Sequence, residues 1–183
     1  FNDCTAECGS YFALTHCVNG WQEEVADITV TGGDIHTKKE CVLVKSHNMM
    51  LDLCDVNISS DKGILVHTIV NDDPCATKVT KDVFGVNVVM TDMDVKGDLL
   101  HEDTKREMWV MLNSTQLTGA IQHANVAFDK GSKWVATADS DVVFVTDVEP
   151  AQIDAPAGVT ITAKGAQAGE FALAGGGTLV VTA

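Results

Sequence analysis

The segments Val88-Val-Met-Thr-Asp-Met-Asp-Val95 and Val110-Met-Leu-Asn-Ser-Thr-Gln-Leu117 share one pattern, and this pattern decides the fold. Each segment begins with an apolar strand, passes through a polar or small corner, and ends in a second short strand. Two earlier copies are Ile28–Ile35 and Leu51–Ile58, and a shorter copy runs from Val126 to Trp134. The starts of successive copies are 23, 37, 22 and 16 residues apart.

A strand–corner–strand unit that recurs at such intervals is typical of a β-solenoid, in which each coil buries its apolar side against its neighbours. The longest interval contains a turn-rich insertion, Asn71–Cys75. The alternative fold is an antiparallel sandwich, whose hairpins favour Asn-Gly or Asp-Gly turns. Only Asn19-Gly20 fits such a turn. The repeat therefore favours an all-β solenoid.

Composition excludes several classes of partner. The chain has 183 residues, with 26 Asp and Glu against 12 Lys and Arg, and a net charge of −14. Nucleic acid and anionic membrane surfaces require clustered positive charge, so we expect neither as a partner. No apolar run approaches the length of a membrane span, so we also expect no membrane insertion. Arg106 is the only arginine, which argues against an arginine clamp for anions.

The length predicts a single domain. We expect residues 1–24 to form a cysteine-containing cap or a first coil, and residues 25–183 to form the repeated coils. The most helix-tolerant stretch, residues 101–108, is predicted to be a polar turn between strands. Because the chain opens at Phe1 with no start signal, we expect it to be a processed piece of a longer protein.

All six cysteines lie in the first 75 residues and show no CxxC spacing. Their even number favours disulfides formed in an oxidising compartment, and buried free thiols in a cytosolic protein are the alternative. The sequence does not choose among the possible pairings. The disulfide candidates are Cys4, Cys8, Cys17, Cys41, Cys54 and Cys75.

Three segments carry a resemblance to a known group of proteins: Asn113–Ile121, Asn125–Trp134 and Ala138–Val142. They resemble the repeats of secreted bacterial right-handed β-helix proteins of the adhesin-like or autotransporter-passenger-like kind. The resemblance covers residues 25–183 and is strongest in residues 109–146. It implies a right-handed parallel β-helix at an extracellular or cell-surface location. Its motifs correspond to strands and corners, and they include no catalytic residues that could be assigned to this chain.

We therefore predict a non-catalytic module with an adhesive or structural role. A stack of coils forms a rigid rod, and one face of the rod would offer a long binding surface. Expected partners are a polysaccharide or a host or cell-surface protein, and self-association is a further expectation. No cofactor is expected, with calcium as the one alternative.

The alternative function is a carbohydrate-active β-helix enzyme, a polysaccharide lyase or hydrolase, or a fragment of one. By resemblance, a pectate-lyase-like site would combine an acidic calcium cluster with a basic proton abstractor. Asp92 and Asp94 project to one side of a strand, Asp98 follows, and Arg106 is the nearby base. Acidic corners also keep a solenoid soluble, so a calcium site at Asp92, Asp94 and Asp98 is a hypothesis beside that interpretation.

Exposed aromatic rings are the usual platforms for sugars, and aromatic residues make up only 5% of the chain. Trp109 and Trp134 stand inside apolar runs, and we predict that both are core or stacking residues in preference to sugar platforms. Trp21 and Tyr11, in the N-terminal segment, are the better candidates for exposure.

Overall fold

The computed structural model describes residues 1–16, 24–72 and 84–183. These residues form an all-β structure of nineteen strands, with one short 3-10 turn at Pro150–Gln152. In chain order the strands are β1 Asn2–Cys8, β2 Ala13–His16, β3 Val25–Thr37, β4 Val42–Lys45, β5 Asn48–Cys54, β6 Asn57–Ser60, β7 Ile64–Ile69, β8 Val86–Thr91, β9 Asp94–Lys96, β10 Asp98–His101, β11 Met108–Asn113, β12 Gln116–Thr118, β13 Ile121–Phe128, β14 Lys133–Val135, β15 Ser140–Phe144, β16 Ile153–Asp154, β17 Thr160–Lys164, β18 Gly169–Ala172 and β19 Thr178–Thr182.

Neighbouring strands are parallel almost throughout. Within the described residues, the antiparallel contacts are the β18–β19 pair and an isolated bridge between Pro156 and Gly176. Parallel neighbours need a long connection between them, and the chain meets this need by passing around the sheet before it returns. The all-β prediction is confirmed, and the antiparallel sandwich is wrong.

The strands form three parallel ladders that the chain visits in the same order. Ladder 1 contains residues 25–31 of β3, then β5, β8, β11 and residues 125–128 of β13. Ladder 2 has two separately paired parts, the first formed by β1, residues 34–37 of β3 and β6, and the second by β9, β12, β14 and β16. Ladder 3 contains β2, β4, β7, β10 and the start of β13. Because β13 belongs to ladders 1 and 3, the later strands β15, β17 and β19 extend both.

The register in ladder 1 matches the sequence repeat residue for residue. Ile28 pairs with Leu51, and Leu51 pairs with Val88. Val88 then pairs with Val110, and Val110 pairs with Val126. These five residues are the starts of the five predicted copies, so the predicted alignment is confirmed in full.

The core lies between the three ladders. Six strand segments of ladder 2 each contribute one inward apolar side chain, the first two in register with each other and the last four in register in turn. Each is at most 4% exposed. These side chains belong to Ile35, Ile58, Val95, Leu117, Trp134 and Ile153. Stacking like residues in this way removes apolar surface from water at every strand, which is the main stabilising contribution to such a sheet.

The corner between ladders 1 and 2, here called the short corner, repeats its geometry. It comprises residues 55–56, 92–93 and 114–115 in three consecutive circuits. The first residue is exposed and has positive φ: 50° at Asp55, 54° at Asp92 and 48° at Ser114. The second residue is buried. Aspartate tolerates the left-handed conformation better than most residues, which explains its use at this corner.

The corner between ladders 3 and 1, here called the long corner, varies in length. Residues 46–47 form it after β4, whereas residues 102–107 form it after β10. The polar turn predicted at residues 101–108 is thereby confirmed, since β10 ends at His101 and β11 begins at Met108. The predicted insertion at residues 71–75 begins at this corner after β7, and residues 73–75 lie outside the described residues.

The N-terminal segment belongs to the same sheet as the repeats. β1 pairs in parallel with β3, and β2 pairs in parallel with β4. Cys4, Cys8, Cys41 and Cys54 are free thiols. Cys17 and Cys75 lie outside the described residues, so the predicted disulfides remain a prediction.

Candidate carbohydrate-binding face

One aromatic ring stands on the outer face of ladder 1. Side chains alternate along β11, so Met108, Val110 and Leu112 are buried while Trp109 and Met111 point outward. Trp109 is partly exposed, and Met111 is 37% exposed. Of the two predicted roles for Trp109, a place in the core is wrong and a stacking role stays a prediction, because its apolar run is a strand with two faces and the ring falls on the outer one.

Trp134 behaves as predicted. It is 0% exposed, and its indole N–H donates a hydrogen bond to the carbonyl of Gly119 at 2.8 Å. Trp109 has a different partner, since its indole N–H donates to the carboxylate Oε2 of Glu107 at 3.0 Å. A fixed N–H restricts rotation of the Trp109 ring, so the ring keeps its orientation on the surface.

Two asparagines flank the Trp109 ring. Asn87 of β8 pairs with Trp109 on one side, and Asn125 of β13 pairs with it on the other. Both side chains are partly exposed and have no hydrogen-bond partner within the described residues. Parallel strands are about 4.8 Å apart, so the two amides lie about 10 Å from each other with the ring between them. Each amide offers a donor and an acceptor.

Apolar residues continue this column at both ends. Met50 is in register with Asn87, and Val143 is in register with Asn125. Met50 is partly exposed, and Val143 is 37% exposed. The five residues Met50, Asn87, Trp109, Asn125 and Val143, here called the Trp109 column, form an outward-facing row across five strands.

The residues of the calcium hypothesis are placed as follows. Asp92 is the exposed left-handed residue of a short corner, and Asp94 lies in β9, paired with Gln116. Asp98 lies in β10, and its Oδ1 accepts a hydrogen bond from the backbone N–H of Ala120 at 2.7 Å. Across residues 1–16, 24–72 and 84–183, no group of three or more His, Cys, Asp or Glu side chains is placed to hold a metal ion.

Arg106 lies in the interior of the long corner. Its Nη1 donates to Oδ2 of Asp103 at 2.7 Å, and the two side chains are 1% and 2% exposed. The other guanidinium nitrogens and Oδ1 of Asp103 have no hydrogen-bond partner in the part of the chain that the structure describes. The arginine is thus engaged in a buried ion pair, away from the outer strand faces.

A histidine completes this buried cluster. Nε2 of His101 donates to the carbonyl of Arg106 at 2.9 Å, because a carbonyl can only accept. Its Nδ1 then accepts from the hydroxyl of Thr68, which is in register with it on β7. Burial lowers the pKa of His101 below the ordinary value of 6.5, although the carbonyl of Arg106 and the nearby Asp103 act in the opposite direction.

The outer face of ladder 3 carries leucines in its earlier strands, such as Leu14 and Leu100, and becomes polar at Gln122. It carries an open depression of about 430 Å³, lined by side chains of β13, β15 and β17. Nδ1 of His123 lies 3.0 Å from a carboxylate oxygen of Asp141, and both groups are more than half exposed. Gln122, in register with Asp141, lies on this same face. No aromatic side chain lines this depression.

The two aromatic residues expected to be exposed give different outcomes. Tyr11 is partly buried, and the ammonium of Lys39 lies 5.0 Å from the centre of its ring. Trp21 lies outside the described residues. Phe1 and Phe84 are more exposed, at 64% and 51%, but Trp109 is flanked by two side-chain amides, which makes it the candidate ring for a ligand. The alternation within residues 109–112 is the signal that could have identified it.

Comparisons with known proteins found no match for this chain among protein-family models, curated proteins or solved structures. A search of the described residues also found no helix with the length and apolarity that a membrane crossing requires.

Proposed function

We propose that this chain is a right-handed β-helix module, extracellular or displayed at a cell surface, that binds a neutral polysaccharide through the Trp109 column and has no catalytic activity. The resemblance of residues 25–183 to secreted bacterial β-helix proteins supports the handedness and the location. The parallel ladders are compatible with that architecture.

The observation that carries the proposal is the partly exposed, outward-facing ring of Trp109 between the unpartnered amides of Asn87 and Asn125. A pyranose ring has a face of C–H groups and an equatorial rim of hydroxyls. The C–H face packs on an aromatic ring, and the hydroxyls hydrogen-bond to side-chain amides. The column offers both contacts within the width of three strands.

Rigidity favours such binding. The residues of the column belong to strands whose backbone groups are paired on both sides, so their spacing does not have to be formed when the ligand arrives. A preorganised surface loses less conformational entropy on binding than a flexible loop does. The apolar ends of the column, Met50 and Val143, would extend the contact along a chain of sugar units.

The charge of the chain favours a neutral ligand. The net charge of −14 repels a polyanion at long range. Near the column, Asp52 of β5 points outward in register with Val89, and Glu107 holds the indole N–H of Trp109. No arginine is available at the surface to bind a uronate, because Arg106 is 5% exposed.

Isothermal titration calorimetry against soluble neutral glycans (β-glucan, xylan and mannan) tests the proposal. Trp109→Ala should reduce the affinity for the bound glycan at least tenfold, which corresponds to about 1.4 kcal/mol. Trp109→Phe should retain part of the affinity because it keeps an aromatic face. Gln122→Ala is the matched control, since Gln122 is exposed on ladder 3 and should leave the affinity unchanged.

Two results would overturn the proposal. One is the absence of binding to every neutral glycan, and the other is equal affinity in wild type and Trp109→Ala. Analytical ultracentrifugation completes the design, because dimerisation that Trp109→Ala abolishes would assign this face to a second copy of the chain.

The enzymatic alternative has a separate test. Acidic polysaccharides are incubated with the protein, with and without calcium, and the ultraviolet absorbance of unsaturated products is followed. We expect no product, and we expect a chelator to leave the melting temperature unchanged. Product formation that is lost in Asp94→Ala or Arg106→Ala would instead establish a lyase.

A further inference from the structure

Two cysteines point into the same end of the core. Cys8 is the last residue of β1, and it pairs with Thr37 of β3. Side chains in register on parallel strands point to the same side of the sheet, and Thr37 is 0% exposed. Cys8 therefore faces the interior beneath Thr37 and is partly exposed, and within the described residues β1 pairs with β3 alone.

Cys41 reaches the same place from the next corner. It is 0% exposed, and its Sγ lies 3.6 Å from the hydroxyl of Thr37 and 3.3 Å from the carbonyl of Ser59. Its own carbonyl accepts hydrogen bonds from the backbone N–H groups of Phe12 and Ala13, in the first circuit. Thr37 is thus the common neighbour of both cysteines.

We propose that Cys8 and Cys41 form a disulfide that fastens the first circuit of the chain to the second. Their shared neighbour supports it, because Cys8 lies one strand spacing, about 4.8 Å, from Thr37, and the Sγ of Cys41 lies 3.6 Å from the hydroxyl of Thr37. The cross-link would join β1, which has one neighbour within the described residues, to the interior of the stack.

The other described cysteines are poorly placed for either partner. Cys4 also points inward, but it is four residues from Cys8 on one strand, or about 13 Å away. Cys54 ends β5 on the side opposite to the buried Leu51 and Leu53, so its thiol faces outward. Within the described residues, Cys8 and Cys41 are the pair that shares a neighbour.

The electrostatics of Cys41 agree with this placement. Burial raises the pKa of its thiol to about 11, the hydroxyl of Thr37 opposes that increase, and Cys8 adds to it. The partly exposed Cys8 is therefore the thiol that an oxidant meets first, and Cys41 is the one that resolves the intermediate.

The chemistry requires a disulfide oxidant. The Cys8 thiolate attacks one sulfur of oxidised glutathione, forming a mixed disulfide and releasing one glutathione thiolate. Cys41 then loses its proton to solvent and attacks Sγ of Cys8, which expels the second glutathione thiolate. Two protein thiols are oxidised and one glutathione disulfide is reduced to two thiols.

The test uses the full chain, incubated folded with oxidised glutathione. Remaining thiols are alkylated, and the protein is digested without reduction. Cleavage after Glu7 and Tyr11 separates Cys8 from Cys4 and Cys17, so mass spectrometry can assign each link. We expect the peptide containing Cys8 to be joined to the peptide containing Cys41.

Melting temperatures provide a second readout. Oxidation should raise the melting temperature of the wild type by about 5–10 °C. The matched control Cys54→Ser should show the same increase, and Cys8→Ser should show a smaller one. Cys8 is partly exposed, so Cys8→Ser should fold. A link from Cys8 to another cysteine, or Cys41 remaining free after oxidation, would overturn the proposal.

Discussion

The two corners beside ladder 1 are built on opposite principles. The short corner uses two residues, one exposed in the left-handed conformation and one buried, as in Asp92–Met93. The long corner changes length between circuits and buries charged groups, among them Asp103 and Arg106. The short corner keeps its length and conformation between circuits, whereas the long corner differs in length and buries charged side chains.

The difference also appears in how polar groups are satisfied. Near the short corner, the buried hydroxyl of Thr115 donates to a carbonyl and accepts from the N–H of Met93 at 3.2 Å, while Ser132 accepts from the N–H of Thr115 at 3.1 Å. At the long corner, buried atoms of Arg106 and Asp103 have no partner within the described residues. A corner of constant geometry can hydrogen-bond its buried polar groups in the same way in each circuit. The long corner depends on contacts that are made once.

The strongest test of this comparison breaks the buried ion pair. Arg106→Met or Asp103→Leu alone should reduce the free energy of unfolding by about 3–5 kcal/mol, because each leaves an unpaired buried charge. The double variant should recover most of that loss. Urea unfolding of the wild type, the two single variants and the double variant forms a double-mutant cycle that measures the coupling energy of the pair. Additive losses in the double variant would contradict a coupled pair.

A smaller effect is expected at the short corner. Asp92→Ala should cost about 1 kcal/mol, because alanine lacks the side-chain hydrogen bonding that helps aspartate adopt positive φ. Asp92→Gly is the matched control and should cost less, since glycine has no Cβ. Urea unfolding measures both. Equal stability of the two variants would show that the backbone conformation at this corner contributes nothing.

The smallest effect concerns pH. Burial lowers the pKa of His101 in the folded protein, with opposing contributions from Arg106 and Asp103, whereas the unfolded chain titrates near 6.5. Below pH 6.5 the unfolded chain therefore binds more protons, and stability decreases as the pH falls from above 6.5 towards the lowered pKa.

Melting temperatures of wild type and His101→Gln at pH 7 and pH 5 measure this contribution. We expect the melting temperature of the wild type to fall further between pH 7 and pH 5 than that of the variant. His47, whose pKa burial also lowers, contributes in the same direction and remains in both proteins. An identical pH dependence in the two proteins would contradict a role for His101.

Much of the fold could be predicted from the repeat. The pairing of Ile28, Leu51, Val88, Val110 and Val126 follows from their spacing, because like residues in successive copies bury the same face. The strands of ladder 3 were not predicted as a set. They bury polar groups such as Thr68 and His101 in the core, so their apolar alternation is interrupted.

The candidate site was less predictable. The apolar neighbours of Trp109 predict a core or stacking residue, and only the alternation of buried and exposed residues in β11 distinguishes it from Trp134. The flanking amides of Asn87 and Asn125 are 38 residues apart in the chain. Their meeting at one ring depends on the register of three strands.

The sequence by itself determined the all-β class, the repeat and the register of ladder 1, because periodic apolar residues can be buried in only one alignment. The tertiary structure alone decided which residues lie beside each other across strands: the Trp109 column, the neighbours of Thr37 and the buried pair of the long corner. Such contacts join residues with unrelated positions in the chain, and no local pattern records them. A repeat specifies how circuits stack, and the stacking then determines which side chains meet.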